Sequence, residues 1–202
     1  MKTEYKTVSK YSKCELEEKK SRFIASTFPV SNEKEAVSII ESLKKKYSDA
    51  THNVYAYNVG IKKPVQRYSD DGEPSGTAGL PVMEAIKKAD AKNTLIVVTR
   101  YFGGTLLGAS GLIRTYGKSA RMGIQSSGIV SQKLCSEIEM EFDYSFFGKI
   151  QSVVSENKYK VKNKKFDSVV RLAVYVPIDE IKSLKDMLKE ITNAKIKFRE
   201  SS

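Results

Sequence analysis

The sequence predicts an α+β protein in two domains, residues 1–132 and 133–202. Three observations carry the prediction. Segments of two-residue apolar alternation interleave along the chain with segments of helical period. From Glu137 onward they fall in the order strand, helix, strand, strand, helix, strand, which is the ferredoxin-like order. The stretch LIVVTRYFGGTLLGASGLIRTYGKSAR, residues 95–121, joins a buried strand to a long helix through a glycine-rich turn.

Taken in order, residues 11–29 give two strands meeting in a turn at residues 18–20. In the second strand both alternating sets are largely apolar (Phe23 and Ala25, Ile24 and Phe28), so both of its faces are expected to be covered. Asn32 and Glu35 have capping-box spacing, and Ala36, Ile40, Leu43 and Tyr47 follow as a helical stripe. Residues 51–60 alternate as a strand that begins at His52, the only histidine. A lone histidine at a strand end is more often a hydrogen-bonded structural group than a catalyst.

The segment RYSDDGEPSGTAGLPVMEAIKKA carries a turn at Asp70, Asp71 and Gly72. Ser75 and Thr77 are its candidate N-caps for a helix bearing Val82, Met83 and Ile86. Three carboxylates, Asp70, Asp71 and Glu73, lie within four residues near Arg67. They can bind Mg²⁺, act as acid and base groups, or pair with Arg100 and Arg114. In a basic domain the pairing is favoured, because it braces the acidic loop against the glycine-rich one.

In residues 95–121 the strand covers 95–99, the turn holds Gly103 and Gly104, and the helix is entered near residues 108–110. A strand that feeds a glycine loop opening a helix brings backbone amides close to an anion, where the helix dipole favours negative charge. Arg114, Lys118 and Arg121 recur on one helix face, while Tyr116, Ala120 and Ile124 form the apolar face. No Walker loop is present, since Ala109 and Ser110 stand where Lys and Ser/Thr are required, and there is no G-x-G-x-x-G. Tight turning and close helix packing explain the glycines as well as an anion does. Residues 126–132, SSGIVSQ, have the composition of a hinge.

The chain carries a formal net charge of +11. Through Lys133 there are 22 Lys/Arg against 13 Asp/Glu, so the excess sits in the part that holds the glycine loop. That points to an acidic partner such as nucleic acid, against the bland reading of a lysine-rich soluble surface. The charged N-terminus has no signal-peptide core, no apolar run is long enough to span a membrane, and the two cysteines lack partners for a zinc site. A cytoplasmic location is therefore expected, with no membrane, no metal site and no cofactor.

The motifs SDDGEPSGTAGLP and VVTRYFGGTLLGASGLIRTYG closely resemble those of the IMPACT/YigZ family, and THNVYAY and SRFIA resemble its flanking motifs. The resemblance covers residues 1–130, and the tail is similar to the small ferredoxin-like domain of bacterial members. It implies an N-terminal left-handed βαβ domain like the second domain of a small-subunit ribosomal protein. It also implies a C-terminal module like those of elongation factor G. The partner-binding domain that precedes the IMPACT domain in eukaryotic members is not expected here, so their restraint of a translation-control kinase is not carried over. Some bacterial members are labelled proline dipeptidases, but a dinuclear metallopeptidase needs several His/Asp/Glu ligands and the chain has one histidine.

The leading expectation is an RNA- or ribosome-binding protein acting in translation regulation. Arg67, Arg100, Arg114, Lys118 and Arg121 would meet phosphates, Gly103, Gly104 and Gly111 would admit the backbone, and Tyr101 or Phe102 would stack on a base. The first alternative is an enzyme acting on a phosphorylated small molecule or nucleotide, with His52, Asp70, Asp71 and Glu73 as catalytic candidates. The second is a module whose basic face docks a protein partner.

Overall fold

The computed structural model describes residues 3–61 and 63–200. The described chain divides into two compact units, Tyr5–Gln132 and the residues from Lys133 onward joined by Thr3 and Glu4. Both mix helices with sheets, so the protein is α+β as the sequence predicts.

The first unit is built on a five-stranded sheet in the order β2-β3-β6-β4-β5, with every neighbouring pair antiparallel. Its strands are β2 (Ser12–Glu18), β3 (Ser21–Pro29), β4 (His52–Val59), β5 (Val65–Ser69) and β6 (Thr94–Tyr101). Helix α1 (Glu33–Lys46) lies on one face, over Tyr57, Val59, Leu95 and Val97. Helices α2 (Gly79–Lys88) and α3 (Gly108–Ser127) cover the other, over Phe23, Ala25, Val54, Ile96 and Val98. Burial on both faces is why β3 and β6 consist of near-continuous apolar runs. The expected cap at α1 forms, with Glu35 N–H donating to Asn32 Oδ1 at 2.9 Å, while the Glu35 carboxylate reaches one residue beyond the cap and accepts from Ser31 N–H at 2.7 Å.

Two local expectations are corrected. Residues 126–132, hinge-like in composition, hold regular structure and no open linker: α3 runs through Ser127, Gly128 turns at φ +75, and β7 (Ile129–Lys133) pairs with β1 (Glu4–Val8). Nor do Ser75 and Thr77 cap α2. Ala78 occupies the N-cap position without a side-chain bond, and Thr77 Oγ1 donates to the Pro74 carbonyl instead.

In the second unit β8 (Cys135–Phe142), α4 (Phe147–Glu156), β9 (Lys160–Phe166), β10 (Val170–Pro177), α5 (Ile181–Ile191) and β11 (Lys197–Glu200) keep the predicted order. A 3₁₀ turn at Tyr144–Phe146 leads into α4. The sheet order β11-β8-β10-β9, antiparallel throughout, is the ferredoxin-like arrangement. Leu184 and Leu188 of α5 and Ile150 and Val154 of α4 pack on Met140, Leu172 and Val174 of the sheet. On the other sheet face Glu141 accepts hydrogen bonds from Arg171 and Arg199.

Candidate functional site

Strand β6 ends by sending successive side chains to opposite faces of the sheet. Arg100 goes to the α2/α3 face, in register with Phe23 on β3 and His52 on β4, and is 5% exposed. Tyr101 goes to the other face, where its hydroxyl donates to Asp49 at 2.9 Å and the Arg22 guanidinium lies over its ring. Phe102 then leaves the sheet half-exposed, its N–H donating to Thr51 Oγ1 at 3.0 Å. The two aromatic candidates for stacking are thus separated: Phe102 borders a cleft on the α3 side and Tyr101 does not.

The acidic loop between β5 and α2 gives each carboxylate a different partner. Asp70 Oδ1 accepts from the N–H groups of Ala78 at 3.0 Å and Gly79 at 2.8 Å, and its Oδ2 accepts from Gly76 N–H at 2.9 Å. It caps α2 from a distance, replacing the local caps. Asp71 accepts from Lys44 Nζ at 2.5 Å and from the Asn53 N–H at 2.7 Å, which ties the loop to α1 and β4. Asp71 and Gly72 take left-handed conformations, φ +46 and +91, and the turn delivers Glu73 back onto the sheet.

Glu73 is the carboxylate that reaches the site. Its side chain is 3% exposed, and Oε1 accepts from both Arg100 Nη1 and Tyr116 Oη at 2.6 Å. The acidic and glycine-rich loops therefore meet at one point, through Glu73 and Arg100. Burial, and then the bond to Glu73, push the Tyr116 phenol far above its usual range, so it stays protonated and donates. His52 Nδ1 lies 2.8 Å from the Asp71 carbonyl oxygen, which only accepts, so Nδ1 carries the hydrogen. The Nε2 of a neutral ring is then an acceptor, and it sits 3.8 Å from Glu73 Oε2.

Of these groups His52, Glu73 and Arg100 line a cleft of about 380 Å³. Its rim is apolar, formed by Phe102, Leu106, Leu107 and Leu112, with Leu106 82% exposed. Gly108 and Ala109 bring the start of α3 to the same cleft. Unlike α2, which Asp70 caps, that helix has no side-chain cap, and like α2 it has no acidic residue in its first turn. Its first N–H groups are therefore left without side-chain acceptors among the described residues.

The expected residues are distributed unevenly around this point. His52, Glu73 and Arg100 come together, whereas Asp70 and Asp71 serve the loop and the α2 terminus. Arg67 is exposed on edge strand β5, in register with Tyr57 on the α1 face, and does not join the cleft. Gly103 has a packing reason, since an added Cβ would stand 2.0 Å from the backbone carbon of Lys20. Gly104, at φ +81, faces open space, while Gly111 is buried against Leu107 and presents no backbone to a ligand. Arg114, Lys118 and Arg121 are exposed along the outer face of α3, and none of the three has a hydrogen-bond or ion-pair partner among the described residues. Among the described residues no group of three or more His, Cys, Asp and Glu is placed to hold a metal ion.

Sequence reasoning missed Tyr116 as a site residue, because it lies in an apolar stripe. Its signal was a hydroxyl on a core-facing helical position opposite a loop rich in carboxylates. Lys44 and Ser21 were missed as well. Lys44 fixes Asp71, and Ser21 Oγ accepts from Gly103 N–H at 3.1 Å and holds the glycine loop to β3.

Comparison with known proteins places these residues in a family. The model of the Impact N-terminal domain matches residues 19–124, and that of a domain of unknown function, DUF1949, matches residues 140–195. The chain is 41% identical over 196 residues to the IMPACT family member YvyE of Bacillus subtilis, covering 97% of this chain and 90% of that protein. It is 27% identical over 182 residues to the IMPACT family member YigZ of Escherichia coli, covering 89% of each. A Dictyostelium discoideum protein IMPACT homolog is 40% identical over 102 residues, which are 48% of this chain and 29% of that protein. A solved structure described only as a hypothetical protein superposes with a TM-score of 0.77 at 24% identity, over 100% of this chain and 99% of that one, and shows the shared fold.

Proposed function

The chain belongs to the IMPACT family, and on that premise we propose that it binds RNA, free or within the ribosome, in the service of translation control. The observation that carries this reading is the row of exposed cations Arg114, Lys118 and Arg121 on α3, without partners among the described residues. They continue from a helix N-terminus left open to an anion, so dipole and side-chain charge act on one phosphate-bearing strand. The charge excess of the N-terminal part supports the same reading.

Arg100 has a different role from these three. Buried against Glu73, it holds the acidic loop to the sheet, so it cannot be tested as an ordinary phosphate contact. The test is co-sedimentation with ribosomes and with single-stranded RNA across a salt series, comparing the chain with Arg114→Ala/Lys118→Ala/Arg121→Ala. Three single-strand phosphate contacts give a log–log salt slope of about −2, and the triple variant should lose it. A protein that stays in the supernatant at low salt overturns the proposal.

A second reading, an enzyme acting on a phosphorylated small molecule or nucleotide, has the proximity of His52 and Glu73 in the cleft in its favour. The engagement of Asp70 and Asp71 by backbone amides and Lys44 weighs against it, since those carboxylates are not free for Mg²⁺ or proton transfer. Thermal shift against phosphorylated metabolites separates the two: a specific ligand at a hundred times its Kd stabilises the protein by about 2.7 kcal/mol.

A further inference from the structure

We infer that the cleft at the α3 entrance is a pocket for one unstacked nucleobase that carries an exocyclic amino group. The inference rests on the RNA-binding reading and names what that site selects.

Two acceptors and one unpartnered donor belong to side chains that line the pocket, those of Glu73, His52 and Arg100. Glu73 Oε1 already accepts two bonds, whereas among the described residues no hydrogen bond reaches Oε2. In the neutral ring His52 Nε2 is a second acceptor, because the Asp71 carbonyl, which only accepts, takes the hydrogen on Nδ1. The third is a donor. Arg100 Nε is buried and without a partner, although the other guanidinium nitrogens reach Glu73 and Ser21. A buried donor without a partner is costly, and because Arg100 borders the cleft an incoming acceptor is the group that would satisfy it.

The spacing of the two acceptors selects the ligand group. Oε2 and Nε2 stand 3.8 Å apart, too far for a bond between them. An –NH₂ group placed about 2.9 Å from each spans that gap and gives one hydrogen to each. Adenine, cytosine and guanine each carry such a group beside a ring acceptor, which the Arg100 donor would meet. Uracil carries none.

The walls suit a base as well. Phe102 offers an aromatic face at the rim, and Leu106, Leu107 and Leu112 supply apolar sides. A volume of about 380 Å³ is in the range of small-ligand pockets. The open α3 terminus and the Arg114, Lys118 and Arg121 row would carry the flanking phosphates, so the pocket adds selectivity to a strand held by charge.

The test measures binding of an octameric oligouridylate and of the same strand with one central adenosine, cytidine, guanosine or purine riboside. Purine riboside keeps the ring of adenosine and lacks its amino group. Adenosine, cytidine or guanosine should bind about tenfold tighter than uridine, and purine riboside should fall back toward uridine, because the pocket acceptors are then left unpaired. Which of the three amino-bearing bases gains most identifies the natural one. Phe102→Ala should cost the adenosine strand about tenfold by loss of stacking. Glu73→Gln should erase the difference between adenosine and purine riboside, and if that variant fails to fold, the ligand comparison on the unaltered protein still decides.

Equal, salt-sensitive binding of all the strands overturns the pocket and leaves the RNA reading standing. Absence of binding to every strand at low salt overturns both, and leaves the apolar rim of Phe102 and Leu106 as a contact for another protein.

Discussion

Asp70 accepts hydrogen bonds from the backbone N–H groups of Ala78 and Gly79, so a side chain in the preceding loop closes the N-terminus of α2. Replacing Asp70 by Ala leaves buried amides without an acceptor. A loss of about 1–2 kcal/mol in unfolding free energy is expected, read from the urea midpoint at unchanged slope. Ser75→Ala should change it by less than about 0.5 kcal/mol, since α2 does not use that hydroxyl as a cap.

Breaking the Glu73–Arg100 pair has a larger effect. Arg100→Ala leaves a carboxylate that is 3% exposed without its counter-charge, and a loss of about 3–5 kcal/mol is expected. Glu73→Ala/Arg100→Ala should lose less than the two single changes added together. A double-mutant cycle by chemical denaturation measures the difference, and strict additivity would falsify the coupling.

Gly103 and Gly104 should respond to alanine for different reasons. At Gly103 the new Cβ collides with the Lys20 backbone 2.0 Å away, so β3 and the loop must part. At Gly104 the space is open and only the left-handed φ of +81 is penalised, by about 1 kcal/mol. Thermal denaturation of the two variants should rank Gly103→Ala well below Gly104→Ala.

Titration should destabilise the protein at both extremes. Tyr57 and Tyr159 are held at about 12, above their usual 10.0, by burial first and then by bonds to Glu33 and Glu180. Between those values the unfolded chain releases protons that the folded one retains, so stability falls as the pH rises above 10. Glu141 and Glu180 are held below 4.5 by hydrogen bonds from Arg171 and Lys133. Their contribution is present above that value and lost as the pH falls through the lower, folded-state range. Urea midpoints across the pH range check both arms. Tyrosinate absorbance should show Tyr116 ionising only on unfolding.

Most of the fold was legible because its signals are local. The cap at Asn32, the doubly covered strands β3 and β6, and the βαββαβ order of the second unit are written in adjacent residues. What the sequence concealed depends on contacts between distant segments. Nothing near Ala78 indicates that Asp70 will cap it, and nothing in SSGIVSQ indicates a partner strand at Glu4–Val8. The site divided in the same way. The meeting of the acidic loop with Arg100 could be anticipated from charge, but Arg67 and Tyr101 fell on the far face of the sheet. A change of one position along a strand reverses the face, and a sequence does not fix that parity when both faces are covered.

The pairing of β1 with β7 brings Glu4–Val8 beside Ile129–Lys133, so the first unit begins and finishes at adjacent points. A unit whose entry and exit coincide behaves as a cassette: it can be spliced into a host chain without stretching either flank, and the host need supply only two neighbouring attachment points. A matching segment that makes up 29% of a much longer Dictyostelium relative is what such portability permits.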